Sequence, residues 1–465
     1  MLLVVALGTA ACSGGPAAVH RHRPVAAGPS AAPVPTPSSA LGPGFRGAYP
    51  CIGGMTCGAL KVPLDDRDPA GYRLPLQVAA ETDRSAPRGV LLVLNGGPGA
   101  ADVALSPTLM ERLGPRVRRA YRIVFIDQRG TGPTALQCPG LQQPETDNLL
   151  PSRLSVLLCA QRLGPSRAFY GTDSVVHDLD LLRRALGVGR VSVFAVSYGT
   201  FVAQQYALAH PGRVRALALD SVVPSGGQET LQLDVMAAAR RVLRSACRAE
   251  HCPGDPLADI AEVVAREHNG ATLLELLSLT SVLNPAYDSF LPAVHQAAAG
   301  DTAELDRIVS LYRDTLRSDP AILSEGLRAA AFCADQPFPW GRSDRPLAGR
   351  AVAVRRAAAQ HPAADFAPFG RDAAVHNSAV GECLPWPPVR PASVDLHHRL
   401  PAVPVLLLAG DRDLATPLED ARAQAARTPD GQVVVVAGAG HVVTASSAVG
   451  RRAVARFLLG PATAG

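Results

Sequence analysis

The chain is expected to fold as an α/β protein: a mostly parallel sheet flanked by helices, interrupted late by a mainly helical insertion. Three observations predict this. Short runs that are apolar throughout, GVLLVLN (89–95), YRIVFID (121–127) and RVSVFAV (190–196), read as strands covered on both faces. They alternate with stretches of helical spacing such as SVVHDLDLLRRALG, which stops at Gly187, and strands joined through helices pair in parallel. The alternation breaks off over roughly 225–400, where Ala- and Leu-rich helical stretches and proline-dense loops dominate, and resumes at VPVLLLAG (403–410).

Taken in order, residues 1–12 read as an export signal. Leu2 to Ala11 is apolar but too short to stay in a bilayer as a span. TAAC, ending at Cys12, is similar to a lipoprotein signal, with Cys12 as the lipidated residue. Residues 13–44 are rich in Pro, Ala, Ser and Gly and read as a tether, within which HRHR (20–23) is a solvated basic patch. The first part of the core spans 45–224, beginning with strands in ALKVPL and YRLPLQVAAE and ending with the strand RVRALALD (213–220). The insertion, 225–400, contains helices such as DVMAAARRVLRSAC and AELDRIVSLYRDTL. The second part of the core, 401–465, adds VPVLLLAG, a helix in EDARAQAA, a strand in QVVVVAG and a closing helix in SAVGRRAVARFLLG.

Composition narrows the function classes. Of 465 residues, 47% are hydrophobic and 18% charged, with a net charge of +5. Lys61 is the only lysine and no block of five arginines occurs, so a nucleic-acid surface is not expected. With Cys12 set aside, eight of the nine cysteines remain, an even number that suits an exported chain. Proximity pairs them as Cys51–Cys57, Cys138–Cys159, Cys247–Cys252 and Cys333–Cys383. No His and Cys spacing suggests a metal, and no cofactor is implied. Membrane contact is expected only through a lipid on Cys12, and the chain is read as a monomer.

The chemistry centres on FAVSYGT (194–200). Ser197 ends a buried strand and directly precedes a helix, where open α/β sheets place their ligands. A nucleophile elbow turns so sharply that the residues two before and two after must be small, and these are Ala195 and Gly199. The alternative for Ser197 is a helix cap. LNGGPGAAD follows the third of the predicted strands and supplies the loop for a second oxyanion donor, so Gly97 and Tyr198 are assigned as the backbone donors. His441, in GAGH after the last core strand, is the candidate base. The acid that orients it is Asp220, Asp411 or Asp413, and the order Ser, Asp, His admits all three. Asp127 and Arg129 of DQRGTG are expected to brace the oxyanion loop and the elbow.

Together NGGPG, DQRGTG, AVSYGT, GDRDLATP (410–417) and GAGH resemble the secreted bacterial tripeptidyl aminopeptidases, relatives of the proline iminopeptidases within the α/β-hydrolase fold. CGALKVPLDDRDP, AFCAD and CLPWP add to the likeness, which runs from about Tyr49 to the C-terminus. It departs at Ala195, usually Gly, and at GPGAAD, where Gly-Ser-Gly often follows. The resemblance implies that Asp413 is the acid and that the chain is a serine exopeptidase acting through an acyl-enzyme on peptides with free N-termini. Such an enzyme needs carboxylates for the α-ammonium, and Asp335 and Glu382, beside Cys333 and Cys383, are the candidates. The same triad would serve a carboxylic ester hydrolase, and a catalytically inert binding protein is the third reading. The expected location is secreted, or lipid-anchored on the outer face of the bacterial cell membrane.

Overall fold

A computed structural model describes residues 41–82, 85–143 and 149–460. Cys12, the signal and most of the tether lie outside these residues. The tether ends earlier than expected. Leu41 and Phe45 are buried in the core, and Gly44 N–H donates to Ala185 O at 2.9 Å, so residues 41–44 are packed rather than free.

Nine strands form one sheet in the order β1-β2-β3-β5-β4-β6-β7-β8-β9. These are β1 (Tyr49–Pro50), β2 (Thr56–Pro63), β3 (Arg73–Ala80), β4 (Val90–Leu94), β5 (Arg122–Ile126), β6 (Val191–Val196), β7 (Val214–Asp220), β8 (Val405–Gly410) and β9 (Gly431–Val436). The two-residue β1 was not anticipated and makes GVLLVLN the fourth strand. β1, β2 and β3 pair antiparallel, and β3 joins β5 the same way. From β5 through β9 all neighbours are parallel. Every residue of β4, β5, β6 and β8 is buried, as their unbroken apolar runs require.

Strand order decides where a site can form. β4 lies between β5 on one side and β6 on the other. The chain leaves β4 in one direction and reaches β6 from the other, so a crevice opens above the C-terminal ends of these two strands. The loop after β4 and the turn after β6 meet there.

Helices Asp102–Ala120 and Ala448–Leu459 pack on one face of the sheet, around Leu109, Leu113, Phe125 and Leu458. Helices Thr172–Ala185 and Tyr198–Ala209 cover the other, around Leu179, Phe201 and Tyr206. The insertion forms a cap whose helices, from Leu233–Glu250 onward, share a separate core containing Met236, Leu243, Leu274 and Phe290. Two cap helices are different, Ser378–Cys383, which adds Ala379 and Cys383 to the sheet's cluster, and Glu325–Asp335. Glu325–Asp335 contributes Leu327, Ala330, Phe332 and Cys333 to the sheet's own cluster, so it is cap by chain position and core by packing. The disulfides join Cys51 to Cys57, Cys138 to Cys159, Cys247 to Cys252 and Cys333 to Cys383. No helix among the described residues is long and apolar enough to cross a membrane.

Candidate active site

Ser197 stands between β6 and helix Tyr198–Ala209 with φ 54° and ψ −129°. Such a positive φ is strained for a side-chain-bearing residue and persists only where neighbours hold it. Here Ser197 N–H donates to Asp220 O at 2.9 Å, and Ser197 O accepts from Thr200 N–H at 2.8 Å and Thr200 Oγ1 at 2.6 Å. The sharp turn also explains Gly199. A Cβ there would stand 2.4 Å from Asn95 O, inside any permitted contact. Ala195 is fully buried in register with Leu94 and Leu219, and the strand accommodates its methyl. Ser197 Oγ makes no capping bond to its helix, which removes the helix-cap alternative.

Instead Oγ lies 2.9 Å from His441 Nε2, and His441 Nδ1 lies 2.9 Å from Asp413 Oδ2. An ionised carboxylate only accepts, so Nδ1 carries the proton and Nε2 presents its lone pair to the serine. Asp413 is fully buried and is itself oriented by Ala415 N–H, Thr416 N–H and Thr416 Oγ1, at 2.9, 2.9 and 2.8 Å. Burial draws the His441 pKa down, but the attraction and hydrogen bond of Asp413, with a contribution from Asp220, outweigh it and leave the pKa raised.

The two other candidate acids have different partners. Asp220 Oδ1 accepts Val443 N–H at 2.9 Å, and Oδ2 accepts Thr444 N–H at 2.9 Å and Thr444 Oγ1 at 2.6 Å. It clamps the segment that follows His441. Asp411 accepts Gly438 N–H at 2.7 Å. Thr416 and Ser221, whose Oγ accepts Val442 N–H at 2.8 Å, were missed. Thr416 lies inside GDRDLATP, where its place three residues after Asp413 is the signal for a hydroxyl that caps that carboxylate.

Two expectations need correction. Asp127 Oδ1 accepts Val103 N–H at 2.8 Å, in the first turn of the helix that follows the Gly-rich loop. Arg129 does not reach the loop or the elbow. Its guanidinium pairs with both oxygens of Asp178 at 2.8 Å and donates to the carbonyls of Pro63, Leu64 and Phe169, joining the β2–β3 hairpin to helix Thr172–Ala185. A fork of five donors finds its acceptors there, away from the elbow. Asp335 is also not open to substrate. It is fully buried, and its carboxylate already accepts from Thr172 N–H, Thr172 Oγ1 and Tyr198 OH.

Ser197, His441, Gly97 and Tyr198 line one cavity of about 390 Å³. A second cavity of about 220 Å³ adjoins it and shares Gly97, Glu275, Leu323 and Arg328. Glu325 and Glu382 line this second cavity. Arg328 reaches Glu382 at 2.7 Å and Glu325 at 3.9 Å. Burial raises the pKa of Glu325, and pushes that of Glu382 up to about 7. On the first cavity's wall, burial and the Glu229 charge raise Asp234 to about 6, and burial with the Asp234 charge raises Asp420 well above its ordinary value. Of these acids only Glu382, beside Cys383, carried a sequence signal; on an isolated helix the others read as solvated surface. Among the described residues no group of three or more His, Cys, Asp or Glu is arranged to hold a metal ion.

A strained serine, a histidine and a buried aspartate in one hydrogen-bonded line, on three loops at the carboxyl ends of parallel strands, are the arrangement of an α/β hydrolase. The chain belongs to the alpha/beta hydrolase fold family, whose model matches residues 89–445. Within that family it is a relative of the tripeptidyl aminopeptidases. It is 27% identical to the tripeptidyl aminopeptidase of Streptomyces lividans over 79% of this chain and 74% of that protein. It is 30% identical to the serine protease Hip1 of Mycobacterium tuberculosis over 37% of this chain and 36% of that protein. A probable proline iminopeptidase of Streptomyces coelicolor is 34% identical over 30% of this chain and 35% of its own length.

Proposed function

We propose that the chain is an exported serine exopeptidase that releases short peptides, tripeptides in particular, from free N-termini. The observation that carries this reading is the Ser197–His441–Asp413 line, with spacings of 2.9 Å and 2.9 Å, on the floor of a cavity walled by cap carboxylates. Ser197 Oγ attacks the scissile carbonyl as His441 Nε2 takes its proton. The N–H groups of Gly97 and Tyr198 receive the oxyanion, and His441 returns the proton to the leaving amine. Water then releases the acyl group by the same steps in reverse order. The names of its tripeptidyl aminopeptidase and proline iminopeptidase relatives agree with this. The four disulfides suit an oxidising compartment outside the cytosol.

The substrate ammonium is assigned to the second cavity. Glu275 lines both cavities, and its charge acts on Arg328 alongside those of Glu382 and Glu325. With Glu325 and Glu382 it sets three carboxyls against one arginine, Arg328. Glu382 therefore stays from the original pair of candidates and Asp335 leaves it.

One comparison tests the reading: a free-amine tripeptide anilide, the same peptide N-blocked, and a short nitrophenyl ester, each with wild type and Ser197→Ala. Preference for the free amine supports the exopeptidase. Turnover of the ester alone makes the chain an esterase, and identical traces for both proteins, with no labelling by a serine-directed phosphonate, make it inert. Glu275→Gln should raise KM for the free-amine substrate by about tenfold, the loss of one charge-assisted pair, and leave the N-blocked peptide unaffected.

A further inference from the structure

The two oxyanion donors come from different parts of the sheet, Gly97 after β4 and Tyr198 after β6, yet a single helix is tied at one end to the loop that carries Gly97 and at the other to the Tyr198 side chain. Helix Glu325–Asp335 starts from Ser324, whose N–H donates to Gly99 O at 2.9 Å. Next to it Ala100 and Leu323 form an antiparallel bridge, and Ala101 N–H donates to Ile322 O at 2.8 Å. The cap chain therefore runs as a short strand against the oxyanion loop. The helix ends at Asp335, whose Oδ2 accepts the phenolic proton of Tyr198 at 2.7 Å and Thr172 Oγ1 at 2.6 Å. Gln336 Nε2 donates to the same phenol oxygen at 3.3 Å.

The helix between these ends is itself held. Ser324 Oγ accepts Leu327 N–H at 3.1 Å and donates to Leu136 O at 3.0 Å. Arg328 is paired with Glu382, and Cys333 is bonded to Cys383. Ser324, Asp335 and Gln336 have no exposed surface.

We propose that this helix is the spacer that sets the two oxyanion donors at their working separation, and that Asp335 is the positioning residue for the Tyr198 N–H. The proposal rests on the reading of Gly97 and Tyr198 as oxyanion donors. The physical need is plain. A tetrahedral oxyanion must lie within about 2.7–3.1 Å of both N–H groups at once. Tyr198 directly follows the strained Ser197, and a strained backbone stays put only where its surroundings over-determine it. The Asp335 carboxylate holds the far end of the Tyr198 side chain, while Ser324 holds the other donor's loop. Asp335 acts at the oxyanion through Tyr198 and does not touch substrate.

Asp335→Asn and Tyr198→Phe, made singly and together, test this on the free-amine and N-blocked anilides. Binding of a peptide aldehyde, whose hemiacetal oxygen occupies the oxyanion site, is measured alongside. Each single variant should lower kcat by about 10–100-fold, short of the loss of a whole donor, with KM changed less than about twofold on both substrates. Aldehyde affinity should fall with kcat, and the double variant should be no worse than the poorer single one, since both break one link. Tyr198→Phe keeps the ring and reads the same link should Asp335→Asn fail to fold. An unchanged kcat with only a lower Tm would make Asp335 a structural brace. A KM rise confined to the free-amine substrate would make it an ammonium ligand, and additive losses would place its action elsewhere; each of these overturns the proposal while leaving the hydrolase reading intact. Equal turnover by wild type and Ser197→Ala would instead remove the hydrolase reading, and this proposal with it.

Discussion

The sheet and the cap hold the site in different ways. On the sheet side, position follows from repeated pairing. β6 lies between β4 and β7, so Ala195 is in register with Leu94 and Leu219, and Ser197 N–H continues the ladder onto Asp220 O. On the cap side, position follows from single contacts between distant residues. Ser281 O accepts His441 N–H at 2.9 Å. Ser278 Oγ donates to Leu414 O at 3.2 Å and Tyr287 OH to Arg412 O at 3.1 Å, on either side of Asp413. The difference teaches a division of labour. Ser197 is set by the sheet, whereas His441 and Asp413 sit on loops whose outer contacts come from the inserted segment.

The largest effect belongs to the sheet side. Ser197→Ala should lower kcat by about 10⁴–10⁶-fold with Tm within a degree or two of wild type. A small loss measured on the pure variant would break the comparison at its base. Asp413→Asn should cost about 10³–10⁴-fold in kcat, by analogy with triad acids elsewhere, and should change the pH profile as well. His441 works as a base only when neutral, and its raised pKa keeps it protonated to higher pH than the ordinary value of 6.5. Activity is therefore lost as pH falls through a value above 6.5. Without the Asp413 charge, burial prevails and the acid limb should move below 6.5; a limb that stays in place would show that Asp413 does not set it.

Two glycine variants sharpen the contrast directly. A Cβ on Gly199 would stand 2.4 Å from Asn95 O and 2.7 Å from Leu94 O, inside the sheet. A Cβ on Gly440 would stand 2.0 Å from Ser281 O, in the cap. Gly199→Ala should lower Tm steeply, because strand ends cannot part without losing their ladder. Gly440→Ala should also lower Tm, though less than Gly199→Ala, and lower kcat by about 10–100-fold, because the Ser281 backbone must give way and its carbonyl holds the His441 N–H. Equal Tm losses in thermal melts would mean that cap and sheet yield together. The smallest effect is that of Ala195→Gly, with a change in kcat of less than about tenfold, or ~1.4 kcal/mol; a larger gain would show that the methyl strains the elbow.

Local sequence was sufficient for every strand but β1 and singled out Ser197 and His441, two of the three residues that the structure brings into one hydrogen-bonded line. Strand runs announce themselves by burial on both faces, an elbow by the small residues that flank it, and a base by its place after the last strand. These signals lie within a few residues of the atoms concerned. The acid was not readable in that way, since Asp220, Asp411 and Asp413 all follow strands; resemblance favoured Asp413, and the 2.9 Å contact agrees with that choice. Arg129, Asp335 and the cap glutamates were decided only in the folded chain. A long side chain at a strand end can reach either way, and Arg129 turned toward Asp178 because its acceptors lie there. A carboxylate on a helix looks the same in sequence whether it meets water, a buried tyrosine or a cavity. Which of these it meets depends on packing between segments more than a hundred residues apart, and FAVSYGT and AFCAD come together at Tyr198 and Asp335 only through that packing.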